Sequence, residues 1–262
     1  MLSLLIAGAV AGAAMAADTW RPAHDGGVRG YVRPGSLRLD GAVGSPPPGG
    51  SPGLAADEAA FAESRSLSGA SRWRQAEEDS HLDGERLLSG FDCALGVRAT
   101  PRTTPALARL LGRLKVDAEG ASEALKSRYR RIRPAAVHPD APICIPRADW
   151  LATSPSYPSG HATIGWAMAL VLTEAAPSRS DALLARGRDF GESRVICGVH
   201  YRSDVQAGQM LASALVARLH AEPAFTRDLA SARREIAAAP RLAPEACAAT
   251  GDPPPLESRT QR

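Results

Sequence analysis

The sequence predicts an all-α fold, with a single helical-bundle domain that follows an extended N-terminal arm rich in proline and glycine. From Leu54 onward, apolar residues recur at intervals of three and four positions, which is the period of an α-helix. No segment combines apolar and polar alternation with the β-branched residues typical of strands. The chain has no internal repeat, so one domain is the simplest arrangement of its 262 residues.

The first 16 residues form an uncharged apolar segment, MLSLLIAGAVAGAAMA, that is too short to span a membrane. Its final Ala-Met-Ala is typical of a signal-peptidase site, so we expect a signal peptide at 1–16 and a periplasmic or secreted protein. The usual preceding basic residues are missing, which leaves the start codon open and a buried helix as the alternative. Residues 17–53 form the arm, because GAVGSPPPGGSPG at 41–53 cannot hold a helix or a central strand.

The helical domain is expected at 54–240 and a C-terminal tail at 241–262. Its helical segments, in order, are LAADEAAFAESRSL, SRWRQAEEDSHL, TPALARLLGRLKVDAEGASEALKSRYRR as one helix or two, SGHATIGWAMALVLTEAA, SRSDALLARGRDFGES and SDVQAGQMLASALVARLH. Pro134 is expected to end the third segment, and a proline-rich loop is expected from Ala135 to Tyr157.

Two serines and two apolar stripes define the later helices. Ser159 and Ser180 occupy positions typical of helix N-caps. The residues expected to be buried are Ile164, Met168, Val171 and Leu172 in one helix, and Val205, Leu211, Leu215 and Leu219 in another.

Charge and cysteine content narrow the function classes. The net charge is +3 with no long basic run, which argues against nucleic-acid binding and fits a local anion pocket. The four cysteines form no C-x-x-C pair, which argues against zinc ribbons and thioredoxin-like chemistry. In an exported chain they favour two disulfides, with three pairings open. We favour Cys144 with Cys197, because both are near the candidate site segments, and Cys93 with Cys247.

Three separated segments carry the chemically useful residues, and the first is KSRYRRIRP. Lys126 and Arg133 are seven positions apart, so in a helix they would share one face. The chain has only two lysines, Lys115 and Lys126, among 31 basic residues. A compact ammonium at position 126 therefore suggests a point charge against one ligand oxygen. A solvated basic helix face is the alternative.

The second segment is YPSGH, residues 157–161. Ser159 offers a hydroxyl, and Gly160 lets its amide approach a ligand at a helix N-terminus, a position that favours anions. His161 would lie at the mouth of such a site. A purely structural histidine at the start of a helix is the alternative.

The third segment is GESRVICGVHYRSD, residues 191–204. Arg194 can present a planar fork to two phosphate oxygens, and His200 can act as a nucleophile. Asp204 follows His200 by one helical turn and can hold its other ring nitrogen. Ser193 and Asp204 could instead be helix caps. One phosphate site explains all three segments together.

Other chemistries fit these residues less well. Two histidines and one carboxylate among three cations would repel a divalent metal, so we expect no metal and no cofactor. The chain has no G-x-S-x-G motif for Ser-His-Asp acyl transfer. It also lacks a P-loop and a dinucleotide-binding fingerprint.

Taken in order, the three segments resemble the signature of the type 2 phosphatidic acid phosphatase superfamily, which includes the vanadium haloperoxidases. The matching residues are Lys126 and Arg133-Pro134, then PSGH at 158–161, then Ser193-Arg194, His200 and Asp204. More narrowly, SYPSGHATIGWAMALVL and RGRDFGESRVICGVHYRSDV are similar to class A bacterial non-specific acid phosphatases. This similarity extends from about Tyr31 to about Glu235.

The resemblance implies an all-α, metal-independent acid phosphatase that hydrolyses small phosphomonoesters without a cofactor. His200 would attack phosphorus and form a phosphohistidine, with Asp204 orienting its imidazole, and His161 would protonate the leaving alcohol and later activate water. The residues that would bind the phosphate oxygens are Lys126, Arg133, Ser159, Gly160 and Arg194. A protonated His161 beside a neutral His200 implies a pH optimum on the acid side of neutrality.

The family pattern and its alternatives differ at identifiable points. Ala135 follows Pro134 where this class commonly has an aromatic residue, a change that would alter the pocket wall. A vanadate-loaded haloperoxidase and a non-catalytic anion-binding protein are the alternatives. A lipid phosphatase is disfavoured, because the expected mature chain has no apolar run of about 18 residues or more. A homo-oligomer and phosphate transfer to other alcohols are both compatible with the resemblance.

Overall fold

The structure, a computed structural model, describes residues 27–33 and 35–248. Its helices are α1 (Asp40–Val43), α2 (Pro52–Ser64), α3 (Ser71–Glu78), α4 (Gly84–Ser89), α5 (Asp92–Leu95), α6 (Pro105–Tyr129), α7 (Pro134–Val137), α8 (Trp150–Thr153), α9 (Gly160–Ala175), α10 (Ser180–Ile196), α11 (Arg202–Leu219), α12 (Pro223–Ala238) and α13 (Pro244–Ala248). Within the described ranges there is no β-strand, so the all-α prediction is confirmed. The expected signal peptide at 1–16 lies outside the described residues.

Helix α9 lies at the centre of the bundle and packs against α6, α10, α11 and α12. Both predicted apolar stripes are buried, at Ile164, Met168, Val171 and Leu172 in α9 and at Val205, Leu211, Leu215 and Leu219 in α11. Helix α6 adds Leu107, Leu110 and Leu114 to the same core. No helix in the described part of the chain is long and apolar enough to cross a membrane.

Two glycines allow the helices around α9 to approach closely. A Cβ at Gly187 of α10 would lie 2.4 Å from the Cβ of Ala169 in α9. A Cβ at Gly208 of α11 would lie 2.6 Å from the carbonyl oxygen of Ser159. Because only glycine permits these separations, Gly208 determines how closely α11 approaches the start of α9.

The prediction that Lys126 and Arg133 share one helical face is wrong. Helix α6 is continuous but ends at Tyr129, where Arg130 adopts a left-handed φ of 49° and donates its amide to the Lys126 carbonyl. Pro134 begins α7, since a proline at the first helical position lacks only an amide that has no partner within the helix. The two cations therefore approach the site from a helix and from a loop.

The N-cap prediction is confirmed for Ser159, whose Oγ accepts from the Ala162 amide at 3.3 Å. It is wrong for Ser180. A 3₁₀ turn, Pro177–Arg179, precedes α10, and Ser180 is the first helical residue. Its hydroxyl donates to the Pro177 carbonyl at 2.7 Å, so it completes the turn instead of capping the helix.

Several short or late helices were not predicted. The four-residue helices α1, α7 and α8 occur where an extended arm or a loop was expected. A single turn needs little more than one hydrogen bond, so it leaves little periodic signal in a sequence. The longer α12 was also missed, although Pro223 marks its start and Phe225, Ala232 and Ile236 are buried.

The two disulfides join the cysteine pairs that the sequence analysis favoured. Cys144–Cys197 connects the loop between α7 and α8 to the end of α10, and the Cys144 amide also donates to the Cys197 carbonyl at 3.1 Å. Cys93–Cys247 connects α5 to α13. The first bridge lies next to the segment that contains His200.

We expect Gly208→Ala to lower the free energy of unfolding by about 1–3 kcal/mol, because the new methyl group overpacks the contact between α11 and α9. Gly112→Ala in α6 is the matched control, since nothing lies within 4 Å of a Cβ at that position. The control should be neutral or stabilising by up to about 1 kcal/mol, the helix propensity difference between the two residues. Urea unfolding measures both. Equal effects of the two variants would contradict the packing argument.

Candidate active site

A cavity of about 380 Å³ opens at the N-terminal end of α9. Six of the eight residues proposed from the sequence line it: Lys126, Arg133, Gly160, His161, Arg194 and His200. The other two, Ser159 and Asp204, are fully buried behind the wall. Leu82, Ile145, Pro146, Trp150 and Ile164 form the apolar part of the lining. The structure thus brings segments from α6, α9, α10 and the neighbouring loops to one cavity.

Three buried cations line the cavity, together with two carboxylates, Glu119 and Glu123. Lys126, Arg133 and Arg194 are 7%, 4% and 2% exposed, respectively. Burial lowers the pKa of Arg133 to about 10 and that of Arg194 to about 9. Burial and the neighbouring Arg133 also lower the pKa of Lys126, while Glu123, whose Oε1 lies 2.8 Å from Nζ, opposes that shift. Bringing these charges together disfavours a cation in the cavity and favours an anion.

Arg194 is the least satisfied of the three. Its Nε and Nη1 are buried without a hydrogen-bond partner among the described residues. Arg133, in contrast, donates to the carbonyls of Ser154 and Val199 at 2.8 and 3.0 Å. A buried donor without a partner is costly, so the Arg194 guanidinium is suited to bind the oxygens of an anion.

The start of α9 adds amide donors to this positive region. Ser159 is the N-cap, and its own amide donates to the Asp204 carbonyl at 2.9 Å, which ties α9 to α11. Gly160 is the first helical residue, and a Cβ built on it would lie 3.7 Å from Lys126 Nζ. The first amides of a 16-residue helix have no partner within that helix, and they favour an anion beside the lysine.

His200 lies in the turn between α10 and α11 and is 2% exposed. Its Nδ1 is 3.3 Å from the Ser156 hydroxyl oxygen, which itself donates to Asp204, and 3.4 Å from Asp204 Oδ2, so the proton of the neutral ring belongs on Nδ1. Its Nε2 is 2.8 Å from Arg133 Nη1, from which it accepts a hydrogen bond. Burial and the cations Arg133, Lys126 and Arg194 lower the pKa of His200 well below its usual value. The ring therefore favours the neutral form, with its lone pair on Nε2, the nitrogen that faces Arg133.

His161, in the first turn of α9, also lines the cavity and is partly exposed. Its Nε2 lies 3.0 Å from the Ser80 carbonyl, which fixes that nitrogen as the donor. The family resemblance implies that this imidazole is protonated. In the structure, burial and Arg194 lower its pKa well below the usual value, so the imidazole is neutral at neutral pH. A bound anion would raise that pKa, because it offsets the neighbouring positive charge.

The alternative role of Asp204 as the N-cap of the last long helix is wrong, because Tyr201 is the N-cap of α11; Asp204 supports His200 and completes the cap from within the first turn. It is fully buried at the third position of α11, where Oδ2 accepts from the Tyr201 amide at 2.8 Å and so caps the helix. The same oxygen faces His200 Nδ1 and accepts from the Ser156 hydroxyl. His200 and Asp204 do not lie one turn apart on the same helix as expected, because His200 precedes the first residue of α11.

Sequence reasoning missed several residues that support the site. Asp79 receives a 2.5 Å hydrogen bond from the Ser193 hydroxyl and pairs with Arg186, and its charge partly offsets the pKa depression of Arg194. Arg131 pairs with Asp204, although the sequence shows only that it is one of several adjacent arginines. The Ser193 hydroxyl thus hydrogen-bonds to the carboxylate of Asp79 as well as to the backbone carbonyl of Asp189 in its own helix.

Ala135, which replaces a common aromatic residue of the class, is 1% exposed and packs in an apolar cluster with Cys144 and Leu151. It does not line the cavity, whereas Trp150 does. The expected effect of this substitution on the pocket wall therefore has no direct contact behind it, since position 135 is not part of the cavity lining.

Comparison with known proteins supports the family assignment. Residues 108–224 match the PAP2 superfamily. The chain is 41% identical to an acid phosphatase of Zymomonas mobilis over 193 residues, which cover 73% of this chain and 72% of that protein. It is 39% identical to a non-specific acid phosphatase of Providencia stuartii over 210 residues, with 79% and 85% covered. A non-specific acid phosphatase of Salmonella typhimurium is 38% identical over 73% of this chain and 77% of that protein.

Arg194→Met should raise the free energy of unfolding by about 1 kcal/mol or more in phosphate-free buffer, because it removes a buried and incompletely paired charge. The variant should also lose the stabilisation that inorganic phosphate gives the parent protein. Thermal unfolding with and without phosphate measures both effects.

Arg179→Met is the matched control for that experiment. Arg179 is 6% exposed, but it donates to the carbonyls of Ala94 and Cys93, both at 3.0 Å. Its loss should destabilise the protein by roughly 1–3 kcal/mol and leave phosphate stabilisation intact. If Arg194→Met behaves like this control, Arg194 is not the anion-binding group.

Proposed function

The chain belongs to the PAP2 superfamily and, within it, to the bacterial non-specific acid phosphatases, and we propose that it hydrolyses phosphomonoesters through a phosphohistidine on His200 without a metal ion. The observation that carries this mechanism is the environment of His200. The neutral imidazole has Nδ1 against a buried carboxylate and accepts a hydrogen bond from Arg133 at Nε2, and Lys126 and Arg194 of the same cavity also lower its pKa. These are the requirements for a nitrogen nucleophile that attacks a bound phosphate.

Substrate binding comes first. The phosphate oxygens accept hydrogen bonds from Arg194, Lys126 and the first amides of α9, including that of Gly160. The Arg133 guanidinium, which occupies the lone pair of His200 Nε2 at 2.8 Å, moves its hydrogen bond to a phosphate oxygen. Binding of the substrate therefore frees the nucleophile at the moment when phosphorus arrives beside it. Ser159 acts mainly by capping α9 and so holding these amides in place.

The first chemical step transfers the phosphoryl group to the enzyme. The lone pair of His200 Nε2 forms a bond to phosphorus while the bond from phosphorus to the ester oxygen breaks. His161 gives its proton to the leaving alcohol oxygen. Asp204 stabilises the positive charge that develops on the His200 ring. The cations and amides bind the equatorial oxygens throughout.

The second step regenerates the enzyme. His161, now neutral, accepts a proton from a water molecule, and the water oxygen attacks phosphorus as the N–P bond breaks. Inorganic phosphate leaves, and His200 returns to its neutral form. Lys126, Arg133 and Arg194 supply the positive charge that metal ions provide in other phosphatases, and they would repel a divalent cation from the same position. The named relatives are acid phosphatases, which favours hydrolysis over the haloperoxidase alternative.

We also propose that the enzyme acts in the periplasm or outside the cell. Both disulfides between described cysteines are of a kind that persists in oxidising compartments. The relatives named above are bacterial. An export assay with a fused reporter tests the expected signal peptide directly.

His200→Ala should reduce kcat by at least roughly 10⁴-fold, because no covalent route remains. His220→Ala is the control, since His220 is exposed and contacts Glu174 outside the cavity.

Rapid quenching of the parent enzyme with substrate labelled in the phosphate should give labelled protein, and the label should be stable in alkali and labile in acid. EDTA should leave the rate unchanged. Acid-stable label, or no labelled protein, would argue against the phosphohistidine.

His161→Gln should lower kcat by roughly 10²- to 10⁴-fold for an alkyl phosphate and by less for p-nitrophenyl phosphate, whose leaving group needs little protonation. In the parent enzyme, burial and Arg194 lower the pKa of His161, and a bound phosphate raises it. The acid is protonated below that pKa, so kcat should fall as pH rises through it. The variant should lack this limb. Equal losses for both esters would contradict the assignment.

A further inference from the structure

Arg131 lies between two buried carboxylates and outside the cavity. It belongs to the short segment between α6 and α7, and its Nη1 donates to Asp204 Oδ1 at 2.7 Å. Its Nη2 donates to Asp57 Oδ2 of α2, also at 2.7 Å. The three side chains are 9%, 0% and 4% exposed, in the order Arg131, Asp204 and Asp57. One guanidinium thus joins α2 to the carboxylate that supports His200.

The contacts of Asp204 divide between its two oxygens. Oδ2 faces His200 Nδ1 and accepts from Tyr201 and Ser156, whereas Oδ1 accepts from Arg131. Burial raises the pKa of Asp204, and Arg131 is the strongest of the influences that lower it. Without the guanidinium, a fully buried carboxylate would be ionised only at higher pH. A protonated Asp204 would no longer stabilise positive charge on the imidazole.

Asp57 and Ser203 help to hold the guanidinium in place, since Arg131 Nη1 also donates to the Ser203 hydroxyl oxygen at 2.6 Å. Besides accepting from Arg131, Asp57 accepts from the Ser203 amide at 2.9 Å and from the Ser203 hydroxyl at 2.5 Å, so it contacts the first turn of α11. Arg131 also lies over the ring of Tyr201, with Cζ 4.4 Å from the ring centroid. A planar fork that spans two carboxylates and stacks on an aromatic ring is specific to arginine.

We propose that Arg131 is a positioning residue for the phosphatase reaction, which keeps Asp204 ionised and aligned with His200, and that Asp57 holds Arg131 in place. The proposal rests on the proposed function of His200 and Asp204. Arg131 does not line the cavity, so it acts on the reaction only through Asp204. Its loss should therefore change turnover and pH dependence rather than substrate affinity.

Several charged or titratable groups surround Asp204 and contribute to its ionisation. They are His200 and Tyr201 before α11, Arg131 and Arg133 from the loop after α6, Lys126 from α6, Tyr157 from the loop before α9, and Asp57 behind Arg131. Of the cations, Arg131 is the one hydrogen-bonded to the carboxylate. The others face the cavity, where substrate binding changes their surroundings.

The test compares kcat, KM and the pH profile of Arg131→Gln and Arg131→Lys with those of the parent enzyme. The control is Arg113→Gln, which removes an ion pair with Asp228 between α6 and α12, away from the cavity. We expect Arg131→Gln to lower kcat by roughly 10- to 100-fold, the range for one hydrogen bond to a charged group, with KM within about threefold. The acid limb of its kcat profile should move to higher pH.

Arg131→Lys retains the charge but not the fork, so it should restore part of the acid limb and part of kcat. Arg113→Gln should leave the profile unchanged. The inference is overturned if Arg131→Gln keeps kcat within about twofold, or if its loss is the same at every pH and the acid limb stays in place. A uniform loss of that kind is what a merely structural role predicts.

Asp57→Asn decides the matter if Arg131→Gln fails to fold, since the asparagine oxygen can still accept from the Ser203 amide. We expect a smaller fall in kcat, an unchanged KM and an acid limb shifted in the same direction. Unchanged kinetics in both Asp57→Asn and Arg131→Lys would then reject the proposal. The His200→Ala variant distinguishes failure of the proposed function from failure of the positioning role. If His200→Ala is active, the proposed function itself is wrong. If His200→Ala is inactive but the Arg131 variants have the kinetics of the parent enzyme, only the positioning role is rejected.

Discussion

Burial of positive charge around one imidazole is the constraint on which the remaining structure depends. Three cations lie within one cavity and are almost excluded from solvent. Such an arrangement is unfavourable without an anion, and after burial it is the cations that lower the pKa of both histidines of the site. In the proposed mechanism the cations therefore have two roles: they would bind the phosphate, and they disfavour protonation of the nitrogen that would attack it. A bound dianion would raise the pKa of His161, which in the proposed mechanism links protonation of the acid to the presence of the substrate.

Carboxylates outside the phosphate position keep this charge tolerable. Asp79 acts near Arg194, Glu123 near Lys126, and Asp204 near His200 and Arg133. Each belongs to a different element from the next, so the balance holds only when the helices are correctly packed. Close contacts such as Gly208 against Ser159 thus matter for the electrostatics as well as for the core. In this protein, the positions of the charged groups therefore depend on how the helices pack.

The sequence predicted the features that depend on local patterns. The stripes of α9 and α11, the Ser159 cap and the residues of the three segments could be identified, because spacing and residue type carry that information. Two kinds of feature could not. The prediction that Arg133 shares a helical face with Lys126 was wrong, because the left-handed residue Arg130 ends α6 before Arg133. The contact between Asp57 and Arg131 spans 74 positions, and neither residue has a local signal that points to the other. Depressed histidine pKa values likewise arise only after folding brings the cations together.

The Cys144–Cys197 bridge closes a covalent ring that contains much of the site. Residues 144 to 197 include Trp150 of the cavity wall, the whole PSGH segment and Arg194, and the ring ends three positions before His200. Without the bridge the protein would keep all of these side chains but would lose the covalent link between the loop that contains Cys144 and the turn before His200. The bridge therefore adds a covalent connection to the hydrogen bond from the Cys144 amide to the Cys197 carbonyl, and together they hold the loop before Trp150 against the end of α10.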